Sequence, residues 1–539
     1  MQVSHPSSAG TANVSTGAGR DEKIHSGGRA GWVDVVAGAC AGLVGALAMT
    51  CLLLALRATL GVATPSEMVG DRLTAFISIK QFFSLLDQFG GYSGLKQAGG
   101  GGVIAGQLVV GVLAGVLFAV LVELRRMRAL LVAGAIVGVL WLLSVGLLWP
   151  NLATNYGGLP PNLARATTAL GLLVCYAAYG VVLAGGFRLL RGRVVGTTSA
   201  GVASAGRRAL LMGGAGAVLA VATGALLRQL VQRATFSYDG TEYRGADLQP
   251  VTPNDRFYTV TKNIVDPDPS TSVWRLEVGG LVDRPRTYDF EALAALPSTT
   301  QETTLMCISN YVGGGLMSNA QWKGLPLRDL LTAAGPQPAG THVIFYGADG
   351  YTVSYPIEKA MEPTTFVAYE MNGEPLPPHH GYPVRVLSPG LFGLNSVKWV
   401  TRIERVDQHV KGFYEQQGWG PSFVIPNRST FFVGDFQTPL MPDGSMPIRG
   451  NAFAGNRGVA SVDVSPDGGQ TWLPARIDYP GTDLTWAFWT FDWQPTRPGE
   501  YTLVARTTDR HGGVQTSDYR DTAPEGATGF PGLHVSVTT

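Results

Sequence analysis

Ala368-Tyr-Glu-Met-Asn-Gly-Glu-Pro-Leu-Pro-Pro-His-His-Gly-Tyr-Pro-Val-Arg385, running on to Ser396-Val397-Lys398-Trp399, is the stretch on which the reading turns. Residues 384–387 have the pattern of a short strand, with Gly and Pro punctuating both ends. The flanking loops carry His379, His380, Arg385 and Lys398. Arginine offers a planar fork and lysine a point charge, so the two converging with a histidine make a seat for a phosphate. No carboxylate lies between His379 and Lys398, which leaves these cations without local partners. Ordinary solvated charge is the plainer alternative.

Around this stretch, residues 273–278, 342–346, 351–355 and 365–368 read as strands. A helix is predicted over 326–334, after Trp322-Lys323-Gly324. Strands with few helices predict an α+β domain reaching about residue 425. Beyond it, strand patterns at 458–465, 471–477, 486–493 and 499–507, with a turn at Asp467-Gly468-Gly469, predict an Ig-like sandwich.

Cys307 is the only cysteine in this polar half, so it has no disulfide partner there. It stands at the end of a strand pattern, in Leu305-Met306-Cys307-Ile308-Ser309-Asn310, before Gly313-Gly314-Gly315. A buried inert thiol is one reading; a soft thiolate ligand for a transition metal is the other. Cys40, Cys51 and Cys175 fall in apolar runs, where a small apolar residue is the default explanation.

Composition divides the chain differently. Only 15% of the 539 residues are charged, and 40 Lys+Arg against 39 Asp+Glu give a net charge of +1. That balance argues against a nucleic-acid binder. Low charge with positive mean hydropathy points to membrane segments. Five uncharged runs, 35–56, 103–122, 129–149, 166–187 and 209–227, each match the roughly 20 residues that a helix needs to cross a bilayer. Residues 1–31 are Ser, Gly, Thr and Ala with scattered charge, and read as a disordered cytoplasmic tail.

Arg125, Arg126 and Arg128 lie in the second loop, and Arg188, Arg191, Arg193, Arg207 and Arg208 in the fourth, whereas 150–162 has no Lys or Arg. The positive-inside rule therefore puts the N-terminus in the cytoplasm and everything after Arg233 outside. In the first outer loop, residues 73–89 are amphipathic and are predicted to lie on the membrane surface. Arg207-Arg208 before Ala209-Leu210-Leu211-Met212 resembles an internal twin-arginine export signal; two arginines obeying the positive-inside rule are the alternative.

The quoted stretch from Ala368 to Arg385, with Val397-Lys398-Trp399, closely resembles the molybdopterin-binding domain of the sulfite oxidase family. The Cys307 loop resembles that family's metal-binding loop. Val462-Asp-Val-Ser-Pro-Asp-Gly-Gly-Gln-Thr-Trp472 and Trp486-Ala-Phe-Trp489 resemble its Ig-like dimerisation domain. The resemblance covers about residues 250–520; the five-span anchor is outside the common pattern. The apolar runs set off a membrane domain (32–232), and the resemblance implies a molybdopterin-binding catalytic domain (233–425) and a dimerisation-type sandwich (426–539) after it. It further implies molybdenum held by a pterin dithiolene, with Cys307 as the protein ligand. His380, Arg385, Ser396, Val397 and Lys398 match positions that bind the pterin and its phosphate, and Tyr258 and Thr259 match a further cofactor-contacting stretch. The cofactor would carry the two-electron oxygen-atom transfer while the protein supplies placement and electrostatics.

The substrate does not carry over. Sulfite-oxidising members hold their anion with arginines, where this chain has Val260, Tyr311-Val312 and Leu484. Val410 stands for their active-site tyrosine, with Tyr414 close by. None of the five runs contains a histidine, and no Cys-x-x-Cys-His occurs, so no haem is expected. A separate cytochrome or membrane quinone is then the redox partner, with a small-molecule or oxidised-protein substrate, and a homodimer is implied by the sandwich. The exported domain would cross the membrane already folded around its cofactor, which favours the export signal. A transporter or receptor using the five helices is disfavoured by their lack of interior ionisable residues. A cofactor-free surface scaffold is disfavoured by Cys307 beside His380, Arg385 and Lys398.

Overall fold

A computed structural model describes residues 21–74, 76–123, 125–191, 199–233, 248–432 and 444–537. The first 20 residues of the expected tail and Arg193 lie outside them. Helix α1 (Asp21–Leu60) begins within the stretch expected to be a tail, since each residue added to a formed helix gains a hydrogen bond. There follow α2 (Pro65–Thr74), α3 (Ile79–Gln88), α4 (Tyr92–Glu123), α5 (Ala129–Leu147), α6 (Pro161–Leu190) and α7 (Ser199–Gln232). Five of these, α1, α4, α5, α6 and α7, are long and apolar enough to cross a membrane.

Packing divides the chain into two compact units. The first comprises residues 1–51, 106–141 and 174–223. In it α1 and α4 meet at glycines: a Cβ on Gly38 or Gly115 would overlap the other helix's backbone. Tyr179 Oη donates to the Gly111 carbonyl at 2.7 Å, and Gln107 donates to Thr50 Oγ1 at 2.7 Å. These bonds satisfy polar groups that apolar surroundings would leave costly.

The second unit comprises 52–105, 142–173 and 224–539. Its α+β part runs β1 (Leu276–Gly280), β2 (Arg286–Tyr288), α8 (Phe290–Ala294), β3 (Thr299–Met306), β4 (Met317–Pro326), α9 (Leu327–Ala334), β5 (His342–Gly347), β6 (Thr352–Pro356), α10 (Ile357–Ala360), β7 (Phe366–Met371), β8 (Glu374–Pro375), β9 (Arg385–Leu387), β10 (Val400–Val406) and α11 (Phe413–Gln416). One sheet has the order β2-β1-β10-β5-β6; the other is β3-β4-β7-β8, with β9 pairing with β7. A core including Trp274, Leu331, Phe345, Val386 and Ile403 fills the space between them. In α9, Leu327, Leu330, Leu331 and Ala334 share the buried face, the i, i+3, i+4, i+7 pattern of an amphipathic helix.

The remainder is a two-sheet sandwich: β11 (Arg428–Phe431), β12 (Met446–Phe453), β13 (Val459–Ser465), β14 (Leu473–Pro474), β15 (Arg476–Tyr479), β16 (Ala487–Trp493), β17 (Gly499–Asp509) and β18 (Gly532–Val537). The sheet orders are β11-β12-β16-β15 and β14-β13-β17-β18, and Val462, Trp489, Leu503 and Val535 share one core. The strand expected over 471–477 is two short strands in different sheets. Pro474, with no N–H for a ladder, stands where the chain leaves one sheet for the other.

The amphipathic stretch 73–89 has a partner within the protein. Its helix α3 starts from a capping box at Ser78 and is fastened to the α+β domain. Ile79 N donates to Gln417 O at 3.0 Å, and Phe83 meets Trp419 edge-on at 6.4 Å. Trp419 of the folded domain covers part of its apolar face, a partner that local sequence does not reveal.

Candidate active site

Cys307 follows β3 directly, at the start of the loop to β4. Its N–H donates to Leu316 O at 3.0 Å, and Asn310 Oδ1 accepts from Leu316 N, so the loop closes on itself. Arg428, buried at the start of β11, donates to the Asn310 and Tyr311 carbonyls at 2.9 and 2.8 Å. The thiol itself is buried, with Ser309 Oγ 3.0 Å from Sγ, and burial pushes its pKa up.

Tyr258, Thr259, Cys307, His380, Arg385, Ser396, Val397 and Lys398 all line one cavity of about 400 Å³. Distant segments meet because β9 carries Arg385 inward between two turns. Gly381 has φ +112°, and a Cβ there would press on Arg385 and Lys398 at 3.0 and 3.1 Å. Trp399 has φ +52°, a conformation that costs a non-glycine residue on the order of 1 kcal/mol. Its indole N–H is fixed to Pro378 O at 2.9 Å, and its ring lies 4.3 Å from Lys398 Nζ.

Arg385 is buried, with Nη1 donating to His380 O at 3.0 Å and Nη2 to Ser396 O at 3.2 Å. Its Nε is buried with no hydrogen-bond partner. Such an unsatisfied cationic donor is costly unless an anion completes it. Burial lowers its pKa to about 10, so it stays charged at neutral pH. Lys398 Nζ donates to the Val260 and His379 carbonyls at 3.3 and 3.0 Å.

His380 is held neutral: burial first, then the Arg385 charge, lower its pKa to about 3. Its Nε2 is 3.1 Å from the Asn254 carbonyl and must donate there, which leaves Nδ1 as an acceptor. Burial raises the Tyr258 phenol, which therefore stays protonated. The cations, without a partner nearby in sequence, find one at long range: Asp266 Oδ2 lies 2.9 Å from His379 Nδ1 and lowers the burial cost of Lys398. Asp266 comes from more than a hundred residues upstream, so local sequence could not reveal it.

Other residues in the cavity were not legible beforehand. Lys96 of α4 donates to Thr261 O at 3.2 Å and also to Asn263 O. Asp71 of α2 pairs with Lys262 at 2.7 Å. Of the residues standing where sulfite-oxidising members have anion-holding arginines, Val260 lines the cavity, whereas Leu484 lines a separate pocket. Tyr414, with Phe413, does line the cavity. Among the described residues no cluster of three His, Cys, Asp or Glu forms a metal cage, so a metal at Cys307 would take its other ligands from a non-protein chelate. The donor set fits a phosphate-bearing pterin: a thiol, an unsatisfied guanidinium Nε, and an ammonium nearby.

Comparison with known proteins agrees with this chemistry. Residues 262–414 match the oxidoreductase molybdopterin binding domain, and 435–521 the Mo-co oxidoreductase dimerisation domain. The sulfite oxidase of Gallus gallus is 31% identical over 312 residues, covering 49% of this chain and 68% of that protein. The mitochondrial sulfite oxidase of Drosophila melanogaster is 30% identical over 321 residues, covering 50% of this chain and 56% of that protein. The chain thus spans little more than half the length of the fly protein. The crystal structure of the sulfane dehydrogenase SoxCD from Paracoccus pantotrophus aligns with a TM-score of 0.48 at 26% identity, covering 56% of this chain and 86% of that one. The chain belongs to the sulfite oxidase family of molybdopterin oxidoreductases, whose cofactor is molybdenum bound to molybdopterin.

Proposed function

We propose that the protein is a membrane-anchored molybdenum oxidoreductase that performs two-electron oxygen-atom transfer, outside the cytoplasm, on an uncharged oxide or sulfur substrate. The observation that carries this reading is the cavity shared by the Cys307 thiol and the Arg385 guanidinium with its unsatisfied Nε. Cys307 is the protein's metal ligand. His380, Arg385, Ser396, Val397 and Lys398, flanked by Tyr258 and Thr259, hold the pterin and its phosphate. When bound, the cofactor supplies the oxygen-atom chemistry. Arg385 and Lys398 neutralise phosphate charge, neutral His380 accepts a hydrogen bond at Nδ1, and the protonated Tyr258 phenol can donate one. Arg385 is the only arginine among the described residues lining the cavity, and carboxylates of Glu67, Asp71 and Asp349 line it too. Lys96, Lys262 and Lys398 line it as well, but they are engaged by main-chain carbonyls or by Asp71, and Val260 stands where an anion-holding arginine would be. This favours an uncharged substrate over sulfite, because opposite charge supplies most of an anion's attraction to such a site.

The anchor is the segment 32–232, with five spans and a cytoplasmic N-terminus. Supporting this, Val181, Leu210 and Val221 are each more than 70% exposed on helices that are apolar all round. The domains 233–425 and 426–539 are extracytoplasmic, the second an Ig-like sandwich through which two copies pair. Arg207-Arg208 acts as an export signal. Electrons leave or arrive through a cytochrome or membrane quinone. Metal analysis of the purified chain should find stoichiometric molybdenum; its absence would remove the enzymatic reading. Replacing Arg207 and Arg208 by Lys should strand the domain inside, as judged by protease access in whole cells. A domain still cleaved from outside would reduce the pair to a topological anchor.

A further inference from the structure

The cavity is closed by chain that precedes the molybdopterin domain. Glu67 and Asp71 of α2, Phe82 and Leu85 of α3, and Leu95 and Lys96 of α4 form a wall facing the Cys307 side. This wall is bolted in place. Arg57 pairs with Glu67 at 2.9 Å and donates to Val265 O at 3.1 Å, and Lys262 pairs with Asp71 at 2.7 Å. It is therefore part of the site rather than a tether.

The lining follows α4 through Gly99 and Gly100 to Val103, the first residue of the uncharged run 103–122. On this side the cavity is floored by a helix without side-chain bulk that continues as a span. Val260, Ile264, Phe413 and Trp419 also line it, aromatic and aliphatic surfaces suited to a flat, uncharged ring. The same family chemistry moves two electrons per oxygen atom, and no span holds a histidine to carry them singly through haem.

We infer that this cavity binds a lipid-soluble quinone, entering along the Gly99–Gly102 side of α4 and exchanging electrons directly at the Cys307 centre. The inference rests on the membrane-anchored enzyme reading above and names its redox partner. The overall balance for an oxidised substrate is X + H2O + quinone → XO + quinol. Water supplies the oxygen atom, X is oxidised by two electrons, and those electrons with two protons reduce the quinone. Read in reverse it describes a quinol-driven reductase.

The test is photolabelling of the full chain, in native membranes, with a short-chain azido-naphthoquinone. Label competed by the unmodified quinone is expected in peptides from 65–103 and 413–419. Gly99→Leu and Gly100→Leu should each weaken that competition at least tenfold. A Cβ at Gly99 meets open space, so the first variant fills the cavity mouth without strain; at Gly100 it approaches Ile264 Cδ1 at 3.0 Å. Leucine also favours helix over glycine, and molybdenum content checks that each variant has folded. Label elsewhere, uncompeted label, or affinity unchanged in both variants would overturn the inference. Molybdenum content and dye-driven turnover of the wild type report on the enzymatic reading separately, so the two can fail independently.

Discussion

The two walls of the cavity follow opposite rules. On the side of β9 and its turns, the guanidinium of Arg385 and the ammonium of Lys398 are pinned to main-chain carbonyls, and His380 is locked in one tautomer. On the side of α2, α3 and α4, the apolar side chains of Phe82, Leu85 and Leu95 are held in place by ion pairs, one aromatic contact and the Lys96 ammonium on main-chain carbonyls. A charged group needs fixed dipoles that are already aimed, whereas an apolar ring needs only shape and dry surface. The first wall can therefore be kept while the second is rebuilt for a different reaction partner.

The comparison is broken most severely at Cys307. Cys307→Ser should abolish activity with sulfite, S-oxides and N-oxides under artificial donors and acceptors, and X-ray absorption should lose one protein sulfur from the metal. Turnover equal to wild type would remove the thiol from the mechanism. On the opposite wall, Asp71→Asn leaves Lys262 buried without its carboxylate, which costs about 3–5 kcal/mol. Denaturant unfolding should detect this loss, and the double variant Asp71→Asn, Lys262→Met should recover part of it.

A smaller effect divides the walls by pH. Burial raises the Asp266 carboxyl, but the Lys398 charge and hydrogen bonds from His379 and Thr261 prevail and lower its pKa to about 2. Its folded value lies below that of the unfolded chain, so the stability it contributes is full above about pH 4 and disappears as pH falls toward 2, amounting to about 2 kcal/mol. Acid titration should loosen the β9 turns, read as hydrogen exchange near His379, and Asp266→Asn should flatten that dependence. The smallest effect is Phe83→Ala, which removes an edge-on contact with Trp419 worth about 1 kcal/mol. Faster exchange confined to α3 is expected.

How much was legible depends on the range of the interaction. The strand around 384–387, helix 326–334 and the apolar runs follow from local pattern, and the structure has β9, α9 and the long helices there. The strand pattern ending at Cys307 is β3, whereas its partner β4 (Met317–Pro326) was not read, because its burial on both faces leaves no alternation of apolar and polar residues. Lys96 and Asp266 were missed for a different reason. Nothing in the neighbouring sequence sets either apart from a surface charge, and only folding gives it a buried partner.

Sequence by itself determined the chemistry available: one thiol in the polar half, cations flanking a short strand, and five apolar runs without histidine. Those properties depend on residue type and close spacing, which composition and motif retain. Tertiary structure alone decided that the amphipathic loop would wall the Cys307 cavity and that α4 would line it as far as Val103. Burial and charge pairing between segments some two hundred residues apart depend on the whole chain's packing, and no local window contains them.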